Sequence, residues 1–245
     1  MTMTGRQLVS LQFETDSDYQ KNLDTLLLLA KTTAAESIIL APEVSMTNFD
    51  YPNFHEAAAF SKHIDTALLE ASCDRTIVTT MIELHEEKFY NVAKVYHHKK
   101  IIHTQAKHKL FVIGDERKYF TAGNKEAIKI FEIDGIKVAI LICFELRFTD
   151  LWQQLLGADL ILVPAQWGKI RTEHFKALTK ALAISNQCYV IASDAANKDT
   201  TSASAIITPF GETYSNHTAL IQTLGFDKKV IDTMRRYIDI GLTNG

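Results

Sequence analysis

Cysteine is scarce in this chain: Cys73, Cys143 and Cys188 are the only three among 245 residues. An odd count without a Cys-x-x-Cys pair excludes a disulfide framework and a zinc ribbon, and suits a reducing compartment. Proline and glycine are few as well, 4 and 10 respectively, which excludes collagen-like and linker-rich chains. Neither sign of charge dominates, since 26 Lys+Arg against 29 Asp+Glu give a formal net charge of −3. That balance argues against a nucleic-acid surface or a polybasic membrane anchor. Apolar runs are short, none approaching a membrane span, and the first residues hold no apolar stretch of signal-peptide type. There is no G-x-G-x-x-G or Walker loop to anchor a nucleotide, and no His-Glu-x-x-His or Cys/His cluster at zinc spacing. These absences predict a cytoplasmic, folded protein with no metal or organic cofactor and no nucleic-acid or membrane partner.

What is present is ordinary globular material, 47% hydrophobic and 22% charged, of a length that one α/β domain spanning residues 1–245 accounts for. The pattern alternates between strands and helices. Strands are predicted at 7–13, 37–41, 76–84, 89–96, 100–104, 128–133, 137–142, 160–164, 189–193, 204–208 and 219–224. Helices are predicted at 18–33, 54–71, 148–156, 171–186 and 227–240, with a long loop from Gln105 to Gly123. Asp134-Gly135 is a two-residue turn signal between two strands. Strands apolar on both faces, in mixed βα units and hairpins, point to a layered α/β sandwich.

Two polar residues directly follow apolar strands. Glu43 comes after Ile38-Ile39-Leu40-Ala41-Pro42, and Cys143 after Val138-Ala139-Ile140-Leu141-Ile142. Ligands of open α/β sheets bind beyond the carboxyl ends of the strands, so parallel strands would put both residues on one edge of one sheet. A carboxylate and a thiol meeting there make a base and a nucleophile. Between them lies the cationic loop Ala106-Lys107-His108-Lys109-Leu110-Phe111, with Glu116 five residues on. The remaining cysteines, Cys73 and Cys188, read as core. His97, His98 and His103 read as surface residues, Arg147 as a structural ion-pair residue, and His174 as a capping or solvated residue. The charges from Asp227 to Arg236 read as a solvated helix face.

Pro42-Glu43, then Lys-x-x-Leu-Phe followed by Asp115-Glu116, then Cys143-Phe144-Glu145-Leu146-Arg147-Phe148 resembles the nitrilase superfamily of carbon–nitrogen hydrolases. The resemblance extends over nearly the whole chain, including Ala165-Gln166-Trp167-Gly168 and the helix around Ala181 to Asn186, and is most like the ω-amidase branch. It implies a four-layer αββα sandwich and a homodimer or higher homo-oligomer, built through helices beside the site. It also implies a thiol amidohydrolase releasing ammonia from a small linear carboxamide, with a Glu-Lys-Cys triad of Glu43, Lys107 and Cys143. An N-carbamoyl amine or a deaminated peptide is the alternative substrate class, and a catalytically silent scaffold the non-enzyme one. Lys107 stands three residues before Leu110 and nine before Glu116, the amidase-type spacing, whereas Lys109 directly precedes Leu110, as in nitrilases proper. Glu116 and the Phe144 N–H are expected to support the triad, and Gln166 and Trp167 to bind substrate. Three departures fall on the pocket. Phe144-Glu145 stands where the family usually has Tyr-Asp, Lys109 where it has His, and Gln166 where it has Asn.

Overall fold

The computed structural model describes residues 6–242. In the first half, β1 (Gln7–Leu11), α1 (Tyr19–Lys31), β2 (Ile38–Leu40), α2 (Phe54–Ala71) and β3 (Thr76–His85) alternate strictly. The antiparallel strands β4 (Lys88–His97) and β5 (Lys100–Ala106) follow, then a short α3 (Glu116–Tyr119). The second half runs β6 (Phe131–Ile133), β7 (Ile136–Ile140), α4 (Thr149–Gln154), β8 (Leu160–Ala165), α5 (Thr172–Asn186) and β9 (Tyr189–Asp194). It closes with β10 (Ala205–Ile207), β11 (Thr213–Tyr214), β12 (Ile221–Gly225) and α6 (Lys228–Tyr237).

These strands form two six-stranded mixed sheets, in the orders β12-β1-β2-β3-β4-β5 and β11-β10-β9-β8-β7-β6. Each has a parallel heart, β1-β2-β3 in one and β7-β8-β9 in the other, with antiparallel strands at its sides. Alternation decides the layering. Leu8, Ile38, Leu40 and Val78 point into the core shared with the second sheet, while Val9, Leu11, Ile39 and Ile77 pack outward against Leu23, Leu26, Ile64 and Leu68 of α1 and α2. On the far side, Trp152 of α4 and Phe175 and Leu182 of α5 cover the second sheet. The result is the expected αββα sandwich, and it explains why the central strands read as continuous apolar runs.

Polar pegs cross between the sheets. Ser10 Oγ donates to the Ala192 carbonyl (2.7 Å), Ser193 Oγ to that of Leu11 (2.5 Å) and Gln105 Nε2 to that of Ile140 (3.2 Å). The partition into two sheets corrects one expectation: β2 and β7, the strands that lead to Glu43 and Cys143, belong to different sheets. The two residues meet across the sandwich rather than along one edge. Other expectations shift too. Cys188 is buried but Cys73 is exposed. His103 is buried and stacks on Phe131 with ring centroids 4.0 Å apart. Lys228 and Arg235 on α6 are not merely solvated, because both bind the buried carboxylate of Asp159.

Candidate active site

Pro42 ends β2 and turns Glu43 into the space between the sheets, where its backbone N–H donates to the Ala165 carbonyl at the end of β8 (3.2 Å). Lys107 follows β5, and Cys143 opens the 3₁₀ turn after β7. Glu43, Lys107 and Cys143 are all buried. Lys107 Nζ lies 2.7 Å from Glu43 Oε1 and 2.7 Å from Glu116 Oε1. Glu43 Oε1 also accepts from Asn91 Nδ2 (2.8 Å), while Glu43 Oε2 has no hydrogen-bond partner among the described residues. Glu116 Oε2 accepts the Phe111 N–H (2.9 Å), which ties the loop after Lys107 to the start of α3. Lys109 takes no part in this cluster; its ammonium sits over the Phe148 ring, 4.8 Å from the centroid.

Electrostatics follow from this crowding. Burial alone would disfavour the Lys107 ammonium, but the Glu43 and Glu116 carboxylates more than offset it and hold the lysine protonated above its ordinary range. Burial pushes the Glu116 carboxyl up, aided by the charge of Glu43 and opposed by Lys107. Burial and the charge of Glu43 push the Cys143 thiol well above its usual value, with Lys107 and the Gln166 N–H pulling the other way. The resting sulfur is therefore a thiol, and any attack by it requires a partner that takes its proton.

Cys143 has φ +50°, a left-handed conformation that costs a non-glycine residue about 1–2 kcal/mol. The turn projects the sulfur into a cavity of about 250 Å³. Phe49, Phe111, Phe144 and Trp167 supply its apolar wall, with Glu116 and Gln166 at polar points. Gln166 Nε2 donates to Asn48 Oδ1 (3.0 Å). The Trp167 N–H donates to Asp194 (2.8 Å), fixing the indole against Phe175. Of the expected residues, Glu116, Cys143, Phe144, Gln166 and Trp167 line this cavity, and Glu43 and Lys107 are tied to it through Glu116. The sequence reading missed its two cations, Arg147 and Arg171. Arg147 was expected in an ion pair. Instead its guanidinium stacks 4.6 Å from the Trp167 ring centroid and its Nη2 lies 3.1 Å from His174 Nδ1. Arg171 stacks 4.8 Å from the Phe111 ring. Among the described residues, neither arginine is paired with a carboxylate. A Cβ at position 168 would lie 3.2 Å from Arg171 Nη2, so a larger residue there would have to nudge that guanidinium aside.

Far from this cavity, the ligand atoms of His97, His98 and Asp134 come within 4.8 Å of one another. They sit on the β4–β5 and β6–β7 turns, and Asp134 is already held there by Arg6 (2.6 Å).

A family model described as "Carbon-nitrogen hydrolase" matches residues 6–224. A 2-oxoglutaramate amidase from Bacillus subtilis (strain 168) is 30% identical over 217 residues, covering 82% of each chain. A deaminated glutathione amidase from Escherichia coli O157:H7 is 28% identical over 221 residues, again covering 82% of each. Among solved structures, Nit3 of Saccharomyces cerevisiae, described as a member of branch 10 of the nitrilase superfamily, superposes with a TM-score of 0.85. It is 18% identical, over 98% of this chain and 96% of that one.

Proposed function

Because the chain belongs to the carbon–nitrogen hydrolase family and is thus a hydrolase of non-peptide C–N bonds, we propose that it cleaves the terminal amide of a small carboxylate-bearing substrate, as an ω-amidase does. The observation that carries this reading is the meeting of Cys143 with the Glu43–Lys107–Glu116 cluster at a cavity whose two arginines lack carboxylate partners. Guanidinium groups in a partly dry pocket favour a carboxylate on the ligand. The cavity, about 250 Å³, suits a small linear acid such as a 2-oxo acid amide.

In this mechanism the free oxygen of Glu43 takes the thiol proton as Cys143 sulfur attacks the amide carbonyl. The oxyanion is met by the Lys107 ammonium and the Phe144 N–H, the latter among the first N–H groups of a helical turn and so without an intrahelical acceptor. One such donor is worth about 3 kcal/mol of barrier. Glu43 then protonates the leaving nitrogen, ammonia departs, and a thioester remains on Cys143. Water, activated by Glu43, hydrolyses it to the free acid and restores the thiol. Glu116 holds Lys107 in place throughout.

The deaminated glutathione amidase, at nearly the same identity as the 2-oxoglutaramate amidase, makes a deaminated peptide the second reading. Ammonia and product release from 2-oxoglutaramate, 2-oxosuccinamate, N-carbamoylputrescine, N-carbamoyl-β-alanine and deaminated glutathione separates the two. Turnover of a 2-oxo acid amide is expected, with Cys143→Ala folded and inactive. Turnover that persists in Cys143→Ala would end this mechanism, and turnover of deaminated glutathione alone would move the substrate to the second reading.

A further inference from the structure

Glu145 is fully buried and makes no ion pair among the described residues. Its carboxylate is spent on backbone alone. Oε1 accepts the N–H of His108 (2.6 Å) and, more weakly, that of Lys109 (3.4 Å), while Oε2 accepts the N–H of Ile142 (2.7 Å). The chain positions matter. His108 directly follows Lys107, and Ile142 directly precedes Cys143. One carboxylate therefore clamps the segment leaving β5 in one sheet to the segment leaving β7 in the other. It also grips the peptide next to the left-handed Cys143, where the backbone would otherwise relax.

We propose that Glu145 is a positioning residue whose negatively charged carboxylate sets the separation of Lys107 and Cys143 across the two sheets. The proposal rests on the reading of those two residues as the reacting groups. A carboxylate is needed because both of its oxygens must accept. A carboxamide of the same shape turns one of them into an N–H₂ group that faces a backbone N–H, donor against donor. Burial without a cation pushes the Glu145 carboxyl up to about 7, the three N–H groups and the more distant Lys107 holding it down.

Two substitutions separate a charge-dependent clamp from mere filling of space. Glu145→Gln keeps the volume and loses an acceptor; Glu145→Asp keeps the charge and leaves a gap. If Glu145 clamps the two segments, Gln is the worse variant. Misplacement of reacting groups by about 1 Å costs about 100-fold, so kcat should fall about 100-fold in Glu145→Gln and less in Glu145→Asp, with KM held in both. If Glu145 only fills space, the order reverses, and Gln at or above Asp overturns the proposal. Should Glu145→Gln fail to fold, Glu145→Asp decides alone: a kcat that falls by clearly less than about 100-fold with unchanged KM supports the clamp, and a loss of about 100-fold or more, as a gap alone would give, overturns it. The rate of Cys143 alkylation by iodoacetamide is measured on the same proteins. It needs no substrate, so an error in the amidase reading, seen as silence of the wild type toward every amide, stays distinct from an error about Glu145.

Discussion

A lysine held between two carboxylates in a dry interior cannot be replaced by a neutral side chain without leaving charge behind. Lys107 Nζ has both Glu43 and Glu116 at 2.7 Å with no exposed surface, and removal of one partner of such a cluster costs about 3–5 kcal/mol. The ammonium of Lys109, two residues on, sits over the Phe148 ring instead, an interaction worth about 0.5–1 kcal/mol at a partly exposed position. Lys107→Ala is therefore expected to lose ammonia release below detection and to melt several degrees lower. Lys109→Ala should keep activity within a few-fold and melt normally. Side-by-side kinetics and thermal melts of the two variants check this, and an active Lys107→Ala would remove the lysine from the mechanism. The same residue logic explains what the sequence concealed at Arg147 and Arg171. An arginine's partner is a matter of which loops meet in space, and here their neighbours are aromatic rings from other segments rather than carboxylates.

Between elements, backbone contacts settle where these side chains stand. Gly123 closes the loop after Lys107: its N–H donates to the Lys107 carbonyl (2.8 Å), and its carbonyl is 2.9 Å from His108 Nδ1. A Cβ at 123 would lie 2.2 Å from the Ala106 carbonyl oxygen, whereas one at Gly225 would meet nothing within 4 Å. Gly123→Ala must push the segment bearing Lys107 aside, at the 1–3 kcal/mol typical of overpacking, roughly, and with a large loss of kcat. Gly225→Ala should change neither, and melting curves with kinetics of the pair test that contrast. Most elements were legible because apolar period and breakers agree: Pro42 ends β2, and Asp134-Gly135 takes the two left-handed positions of the β6–β7 turn. The β3–β4 and β4–β5 turns use Glu86-Glu87 and His98-Lys99 at the same positive φ, so no glycine announces them. The assignment of β2 and β7 to separate sheets left no local mark, since a strand buried on both faces reads alike in either sheet. Glu43 and Cys143 were recognisable at their strand ends and in their motif. The clamp by Glu145 was not, because its acceptors' partners lie 37 and 3 residues away and only the fold brings them together.

For the whole molecule, two sheets pressed face to face force carboxylates into the interior beside the candidate site. Asp194, at the end of β9, is buried and accepts hydrogen bonds from the Trp167 backbone N–H and the Thr201 hydroxyl. Burial pushes its carboxyl up to about 7. In the unfolded chain an aspartate titrates near ~3.9. Between about pH 4 and 7 the native state thus binds more protons than the unfolded one at this group, so its contribution to stability falls as pH rises, by up to about 1.4 kcal/mol per pH unit. At about 2–4 °C per kcal/mol for a chain of this size, that is about 3–6 °C per unit. Other carboxylates add their own slopes, yet these cancel in the difference between wild type and Asp194→Asn, where the asparagine oxygen still accepts the Trp167 N–H. The melting temperature of the variant relative to wild type should therefore rise steadily from pH 4.5 to 7 and hold constant above 7.5. Parallel curves across that whole range would mean that Asp194 is ionised throughout, and that the donors around it, not burial, set its charge.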